Sequence, residues 1–572
     1  MRSTLQPLDG AETLLPPLLR DLYRRFDDVA SFFEYNPHDP ESYQRRAQWL
    51  DRHFAGRRAE VAAALVEANR AYGAHEAALD NAAALAEPGT LAVVTGQQAG
   101  LLGGPLHTLY KAVTAVRLAA EMSRHLERRV VPVFWMASED HDFDEVRRAF
   151  LLDHAGRVRE LSLPPRAGGG SVGALPVPRR VQGLLQEMAS ALGPRARHAE
   201  FLEQAVRELE RARDWGDWFA RLMAGWLSAE GLVVLDPMLK PLRLLLRDFY
   251  PQALVRRDGI QREIAAAAQH LQRRGYPVQL AVEPDHAHLF FYRDGRRAAL
   301  HWQDQYLVDR AGQVRLSAAE ATALMRSEPW RFSPNVVLRP MVQELLLPTL
   351  AYVAGPAETA YLAQLRHVYP LFGLQMPVIA PRLSLTLVAP EVGERLRAYR
   401  VGAGAFLTGD PDVPLREELA RRDQVGIDAC IQQLEQRIRD AYAAARAALE
   451  PVSPHLDRVA RHNEERVMAQ VRYLQRKAYQ HHRRTHRRVV QDFTYVRNAL
   501  RPRGQLQERV FSVLPALVEF GPQLIRWLLR ATPGEPHRLA LIDDDGRAGP
   551  FSGAHAGRPE AGGAPAGVDA VP

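Results

Sequence analysis

At 572 residues, with 47% hydrophobic and 25% charged side chains, the chain has the balance of a soluble globular protein and room for about two to four domains. Its net charge of +7 is modest for this length; it suits anionic small molecules and does not demand nucleic acid. A single cysteine, Cys430, excludes an intramolecular disulfide framework and a cysteine-cluster zinc site. With no secretory pattern and no apolar run near the roughly 18 residues that span a bilayer, a cytoplasmic protein without membrane contact is expected.

Residues 1–88 read as a helical segment, alanine- and leucine-rich over 59–86 and punctuated by Pro37, Pro40 and Pro88. A sheet-bearing α/β core is expected over 89–385. It opens with Leu91-Ala92-Val93-Val94, short and β-branched enough for a buried parallel strand. A turn containing Gly96, Gly100, Gly103 and Gly104 follows, and Pro105 suits the first turn of a helix. Leu106, Leu109, Val113, Val116 and Ala120 recur at helical spacing, so one face packs on a sheet. A second apolar run, 130–136, discharges into Ser138-Glu139-Asp140-His141-Asp142. The unit is βαβ, with acids at the carboxyl end of its second strand, where open α/β sheets bind ligands.

Two insertions are expected in that core, at about 150–226 and 251–330. The first begins with the alternating 157–163 segment and a Gly168-Gly169-Gly170 loop; the second has strand-like 279–282 and 288–292, with Arg293-Asp294-Gly295-Arg296 as a hairpin turn. The core resumes at 231–237, 332–340, 350–358 and 375–381, so the fold class is α/β with a doubly wound parallel sheet. Residues 386–502 read as an antiparallel coiled-coil hairpin turning at Pro451 and Pro454, its first face traced by Leu415, Leu419, Val425, Ile431, Leu434, Ile438 and Tyr442. A helical segment over 503–543 follows, with 539–542 a last strand, and the Gly/Pro/Ala-rich tail 544–572 is expected to be disordered.

Three constellations carry chemistry. The turn Thr95, Gly96, Gln97, Gln98, Gly100, Gly103, Gly104 can present backbone N–H groups to a phosphate or carboxylate. It matches neither GxGxxG nor a Walker motif, and a plain strand–helix connection is the ordinary alternative. Of 74 basic residues only Lys111, Lys240 and Lys477 are lysine, so Lys111, just past the turn, is marked for a role a guanidinium cannot fill. Glu139, Asp140, His141 and Asp142 crowd charge as general acid/base groups require, or could hold a divalent cation through oxygens; a solvated loop is the alternative. No second histidine stands at helical spacing from His141, which argues against zinc there. Arg339, Tyr352, the Gly355 turn, Glu358, Tyr361 and Arg382 sit at later strand ends and could converge on the same crevice. The basic run from Arg472 to Arg488 is read as a solvated arginine-rich face rather than a nucleic-acid site.

The stretches TGQQAGLLGGPLHTLYK, FWMASEDHDFDEV, FSPNVVLRPMVQELLLPTLAYVAGPAETAYLAQL and RGQLQERVF resemble the bacillithiol synthase family, in order and over nearly the whole chain to about residue 542. The resemblance implies a Rossmann-like core with two connecting-peptide insertions and a coiled-coil arm used in homodimerisation. It also implies a ligase that joins cysteine to the amine of glucosaminyl malate, the last step in making bacillithiol. Forming that amide calls for carboxylate activation, most simply by ATP, with magnesium accompanying the nucleotide. By analogy with class I aminoacyl-tRNA synthetases, His107 and Thr108 stand where those enzymes use a histidine-containing phosphate motif. The turn, His107 and Lys111 would then hold anionic groups, and Glu139, Asp140, His141 and Asp142 would orient the amines and take up the proton. A nucleotide-binding coiled-coil scaffold without ligase activity, or an RNA-binding synthetase relative, are the competing readings.

Overall fold

Five parallel strands form the central sheet, in the spatial order Val378–Pro381, Thr349–Ala354, Leu91–Gln97, Val130–Met136 and Val233–Leu235. Along the chain that order is 5-4-1-2-3, the doubly wound arrangement, and its direction of winding reverses between Leu91–Gln97 and Thr349–Ala354. Both faces are covered. Ala92, Val94, Val131 and Val133 pack with Leu18, Leu22 and Leu65 of the N-terminal helices, while Leu91, Val93 and Val130 pack with Leu118, Ala119 and Met122 of the helix Leu106–His125. Burial on both sides is why these strands read as continuous apolar runs. The computed structural model describes residues 2–166, 169–281, 283–531 and 536–543; the tail expected to be disordered lies outside them, as do Gly168 and Val282.

The first insertion is a hairpin, Arg148–Leu152 with Val158–Ser162, followed by the helices Arg180–Leu192, Ala199–Arg211 and Trp215–Leu227. The second carries the helix Arg257–Arg273 and an antiparallel sheet. Asp294 and Gly295 both take positive φ, 49° and 75°, in the two-residue turn between His286–Arg293 and Arg296–Gln303.

Four expectations are corrected. Phe332–Pro334 pairs antiparallel with His286–Arg293, so it belongs to the insertion's sheet and not the core. Residues 279–281 form no strand. Arg2–Pro7, expected to be helical, pairs antiparallel with Arg538–Asp543, which in turn runs parallel to Leu385–Val388. This small sheet ties the two ends of the described chain together. The arm proper is Ile427–Leu449 and His455–Thr485, whereas Leu415 and Leu419 lie on a separate helix, Val413–Arg421, buried in the body. Asp423 breaks the pattern there, its carboxylate accepting from the Val425, Gly426 and Ile427 N–H groups.

Candidate functional site

A cleft of about 890 Å³ opens where the winding of the sheet reverses, the place at which open α/β sheets bind ligands. Gly96 and Gln97 reach it from the end of the first core strand, Trp135 and Ala137 from the second, and Gly355 from the turn after Thr349–Ala354. The glycine turn folds tightly beside it. A Cβ on Gly100 would stand 2.5 Å from the Gly104 Cα, and Gly103 and Gly104 take φ of 85° and 71°. Several N–H groups of the turn and of the helix start after it, however, are spent on backbone. Gly100 donates to Gln98, Gly103 to Gly100, Gly104 to Leu101, Leu106 to Phe511 and Thr108 to Pro105. Those N–H groups are not open to an anion, and charged side chains add to the cleft's capacity for one.

The floor is a buried network. Lys111, 1% exposed, reaches back along its helix to the sheet's carboxyl edge. There its ammonium donates to the Gly96 carbonyl and to Gln97 Oε1 (3.2 Å), and lies 2.6 Å from Glu358 Oε2. The Gly355 N–H and the Tyr352 hydroxyl each donate to Glu358, both at 2.8 Å. Arg339 donates to the Tyr361 hydroxyl and stacks 5.4 Å from the Tyr352 ring centre. Burial alone would raise the Glu358 carboxyl, but Lys111, the Gly355 N–H and Arg339 leave it below the usual range; burial lowers Lys111, partly offset by Glu358.

His107 and Arg382 line the cleft beside this network. Arg382 is committed to Glu508 at 2.6 Å, a pair in which both side chains are buried. Burial alone would raise the Glu508 carboxyl, but Arg382 holds it at about 2. Burial, with Arg382 and Lys111 nearby, pushes the His107 imidazole down to about 3. Its Nδ1 lies 3.1 Å from the Glu508 carbonyl oxygen, which can only accept. The neutral ring therefore carries its proton on Nδ1 and a lone pair on Nε2.

Residues 4–383 match the N-terminal Rossmann-like domain of bacillithiol biosynthesis BshC, and residues 385–541 its C-terminal coiled-coil domain. The chain belongs to the BshC family. Proteins of Symbiobacterium thermophilum, Heliobacterium modesticaldum and Carboxydothermus hydrogenoformans, each named "Putative cysteine ligase BshC", are 38%, 35% and 31% identical to it. The matches cover 90%, 88% and 92% of this chain, and 95%, 93% and 97% of theirs. The family's two domains coincide with the sheet-bearing body and with the segment that carries the arm.

Within this BshC fold the acidic loop divides. Asp140 lines the cleft together with Glu145, and Gln98 Nε2 donates to both, to Glu145 at 2.9 Å. Glu139 turns away: it is buried and paired with Arg243 at 2.6 Å, so its place is in the scaffold beneath the loop. His141 is exposed, lies against Phe290 and stands 3.8 Å from Asp140, outside the cleft lining. Asp142 accepts from the Glu145 N–H and so shapes the loop. Thr95 donates to the Val353 carbonyl inside the sheet; Gly103 is packed under Trp226 and Thr108 is buried, and neither lines the cleft.

The sequence reading missed Glu145, Arg148, Gln279, Arg503, Gln505, Arg509 and Ser512, all of which line the cleft. Arg148 and Arg503 approach Glu160 only at 3.9 and 3.6 Å, and Arg509 is exposed with no carboxylate paired to it among the described residues. The cleft lining thus combines three exposed arginines with the carboxylates of Asp140 and Glu145. The motif RGQLQERVF carried both Arg503 and Arg509, which is the signal that could have found them.

Proposed function

We propose that this BshC-family chain is a ligase that joins the carboxylate of L-cysteine to the amine of glucosaminyl malate, the last step of bacillithiol synthesis, in the cleft at the sheet's switch point. The observation that carries this reading is the cleft's division of charge. Glucosaminyl malate brings a malate dicarboxylate and an amine, and cysteine brings an amine and a carboxylate. Arg148, Arg503 and Arg509 face the first kind of group, and Asp140 with Glu145 the second. At about 890 Å³ the cleft is also near the upper end of ligand-pocket sizes, roughly 300–1,000 Å³, which suits two substrates side by side.

The new C–N bond forms when the neutral amine attacks the activated cysteine carbonyl, expelling the activating group and losing one proton. Only the deprotonated amine is nucleophilic, so a base must stand near it. Asp140 and His107 are the candidates: the first is a carboxylate held by Gln98, the second a neutral imidazole with a lone pair on Nε2. ATP, when bound, supplies the carboxylate activation, with magnesium; the exposed arginines are the residues that could hold its phosphates. The Lys111–Glu358 pair is already neutralised, and in this reading it holds Gly96, Gln97 and Gly355 in place rather than binding the anion.

We propose further that two chains associate through the arm in the cytoplasm. Val459, Tyr473, Leu474 and Tyr479 stand 50%, 50%, 53% and 38% exposed on it, an apolar display that a partner would cover.

The test is a mass-spectrometric assay with purified protein, cysteine, glucosaminyl malate and ATP. Appearance of the cysteinyl amide with one ADP or AMP per product is expected. A fully folded protein that forms no amide while binding cysteine or nucleotide would overturn the ligase reading in favour of a scaffold.

A further inference from the structure

Beyond Val336, which lines both, a second cavity of about 310 Å³ adjoins the cleft. It is built on the antiparallel sheet of the second insertion, and Glu283, His286, His288, His301 and Arg310 line it. The register sets His286 opposite His301, so the local sequence Glu283-Pro-Asp285-His286-Ala-His288 brings two carboxylates and two imidazoles against a third. One ligand atom each from Glu283, Asp285 and His301 lie within 4.8 Å of one another. His301 Nδ1 is 3.4 Å from Asp285 Oδ2 and 3.9 Å from Glu283 Oε2. A tetrahedral ion with bonds of about 2.0–2.1 Å has ligand–ligand edges of roughly 3.3 Å, which the His301–Asp285 distance already approaches, while the wider carboxylate positions, on exposed side chains, must close on the ion.

A second observation separates this group from an ordinary acidic patch. His301 is 5% exposed, and its Nδ1 is buried without a hydrogen-bond partner, on the side that faces the two carboxylates. Buried polar atoms are rarely left so. The neighbouring rings have their Nδ1 atoms engaged, although His288 Nε2 is, like His301 Nδ1, buried without a partner. His286 Nδ1 accepts from the His288 N–H at 2.8 Å, and His288 Nδ1 accepts from Asn335, whose amide is oriented by the Val337 and Leu338 N–H groups. In their neutral forms both rings carry the proton on Nε2, so neither offers a free ring nitrogen and His301 is the nitrogen donor. The charge is also right. Arg310 contacts Glu283, but one guanidinium against two carboxylates leaves an excess of negative charge for a cation.

We propose that Glu283, Asp285 and His301 bind one divalent transition-metal ion of the zinc class, completed by water. One imidazole and two carboxylates form a borderline N/O set of the kind that suits zinc and its first-row neighbours. The ion would fasten the chain at Glu283 and Asp285 where it enters the strand His286–Arg293. Nearby, Gln279 lines the cleft and is held by Gln364 at 2.9 Å. The site is independent of the ligase reading.

The experiment is zinc titration of the metal-free full-length protein, without nucleotide, in competition with a chromophoric chelator, paired with thermal unfolding. One equivalent is expected to bind at micromolar free zinc or below, and to raise the unfolding midpoint. Glu283→Gln and Asp285→Asn, both at exposed positions and so safe for folding, are each expected to weaken binding at least tenfold, as is His301→Ala. Arg310→Gln is expected to tighten it by removing the competing cation. Asp140→Asn, in the cleft, should bind zinc as the wild type does. The proposal is overturned if the wild type takes up no zinc at 100-fold excess, or if uptake survives unchanged in Glu283→Gln and Asp285→Asn.

Discussion

The Lys111 ammonium lies 2.6 Å from the Glu358 carboxylate, joining the helix after the first core strand to the turn after the fourth. The pair closes the floor of the cleft, and each partner is satisfied on its other side, by Gly96 and Gln97 or by Tyr352 and Gly355. Removing one partner strands a buried charge, so Lys111→Met is expected to cost about 3 kcal/mol in urea unfolding. The double variant Lys111→Met with Glu358→Gln should recover part of that loss. Lys111→Arg should also destabilise, since a guanidinium cannot occupy the ammonium's place between three oxygens. Three variants that all unfold at the wild-type midpoint would show the pair to be idle.

Acid should unfold the body through the same region. His107 titrates near 3 in the folded chain against an ordinary 6.5, and His288, also buried, behaves alike. Each is neutral when folded and charges on unfolding, so its contribution is complete above about pH 6.5 and is lost as pH falls towards 3. Glu508, held at about 2 against 4.5, contributes fully above pH 4.5 and is lost as pH falls through 2. These three groups pull stability down from pH 6.5, against Glu344 and Asp236, whose carboxyls burial raises to about 7 and about 6 and which therefore add stability as pH falls. His107→Asn, which keeps a donor for the Glu508 carbonyl, should flatten the upper part of that decline, and Glu508→Gln the lower part. Denaturant titrations at pH 7, 5 and 3.5 measure the slopes; identical slopes in wild type and variants would reject the assignment.

Much of this was readable from residues alone. The runs at 91–94 and 130–136 are apolar throughout because both faces of the sheet are covered, and the glycine turn is tight because Gly100 and Gly104 touch backbone to backbone. Scarcity also singled out Lys111, and it is the buried lysine, while Lys240 and Lys477 lie over Trp330 and Tyr473. Direction was not readable. Glu139 and Asp140 are adjacent, yet one pairs with Arg243 in the scaffold and the other meets Gln98 at the cleft. In an arginine-biased chain Arg148, Arg503 and Arg509 carry no mark of their own; only folding brings them to one cleft.

Those arginines yield a prediction. Arg503→Gln and Arg509→Gln remove exposed cations, so stability should move by no more than about 0.5 kcal/mol. If they hold anionic substrate groups, each should raise KM for glucosaminyl malate or ATP by about tenfold, as expected for loss of one charge-assisted hydrogen bond. The effect should shrink as salt screens the wild-type contact. Unchanged KM for every substrate would remove the arginines from the site.

The arm offers a prediction on assembly. Tyr473→Glu with Leu474→Glu places two charges on its exposed apolar display, where each helix of the hairpin has a single buried residue, Ile431 and Val471. Sedimentation should show the wild type as a dimer and this variant as a monomer with an unchanged circular dichroism spectrum. A wild type that sediments as a monomer would reject the assembly.

The acidic loop gives the sharpest contrast. Asp140 faces the cleft under Gln98, whereas Asp142 spends its carboxylate on the Glu145 N–H and His141 lies outside against Phe290. Asp140→Asn keeps size and the contact to Gln98 but removes the charge and the base, so kcat/KM should fall about a hundredfold or more. Asp142→Asn keeps an oxygen for the Glu145 N–H and His141→Ala removes only an exposed ring, so both should stay within about threefold of wild type. A pH–rate profile separates base from scaffold: loss of the acidic limb in Asp140→Asn, with the limb retained in Asp142→Asn, is the result expected of a proton acceptor at Asp140. If Asp142→Asn and His141→Ala instead abolish activity while Asp140→Asn does not, the reacting amine lies on the outer side of the loop, and the cleft lined by Gly96, Lys111 and Gly355 is not where the bond is made.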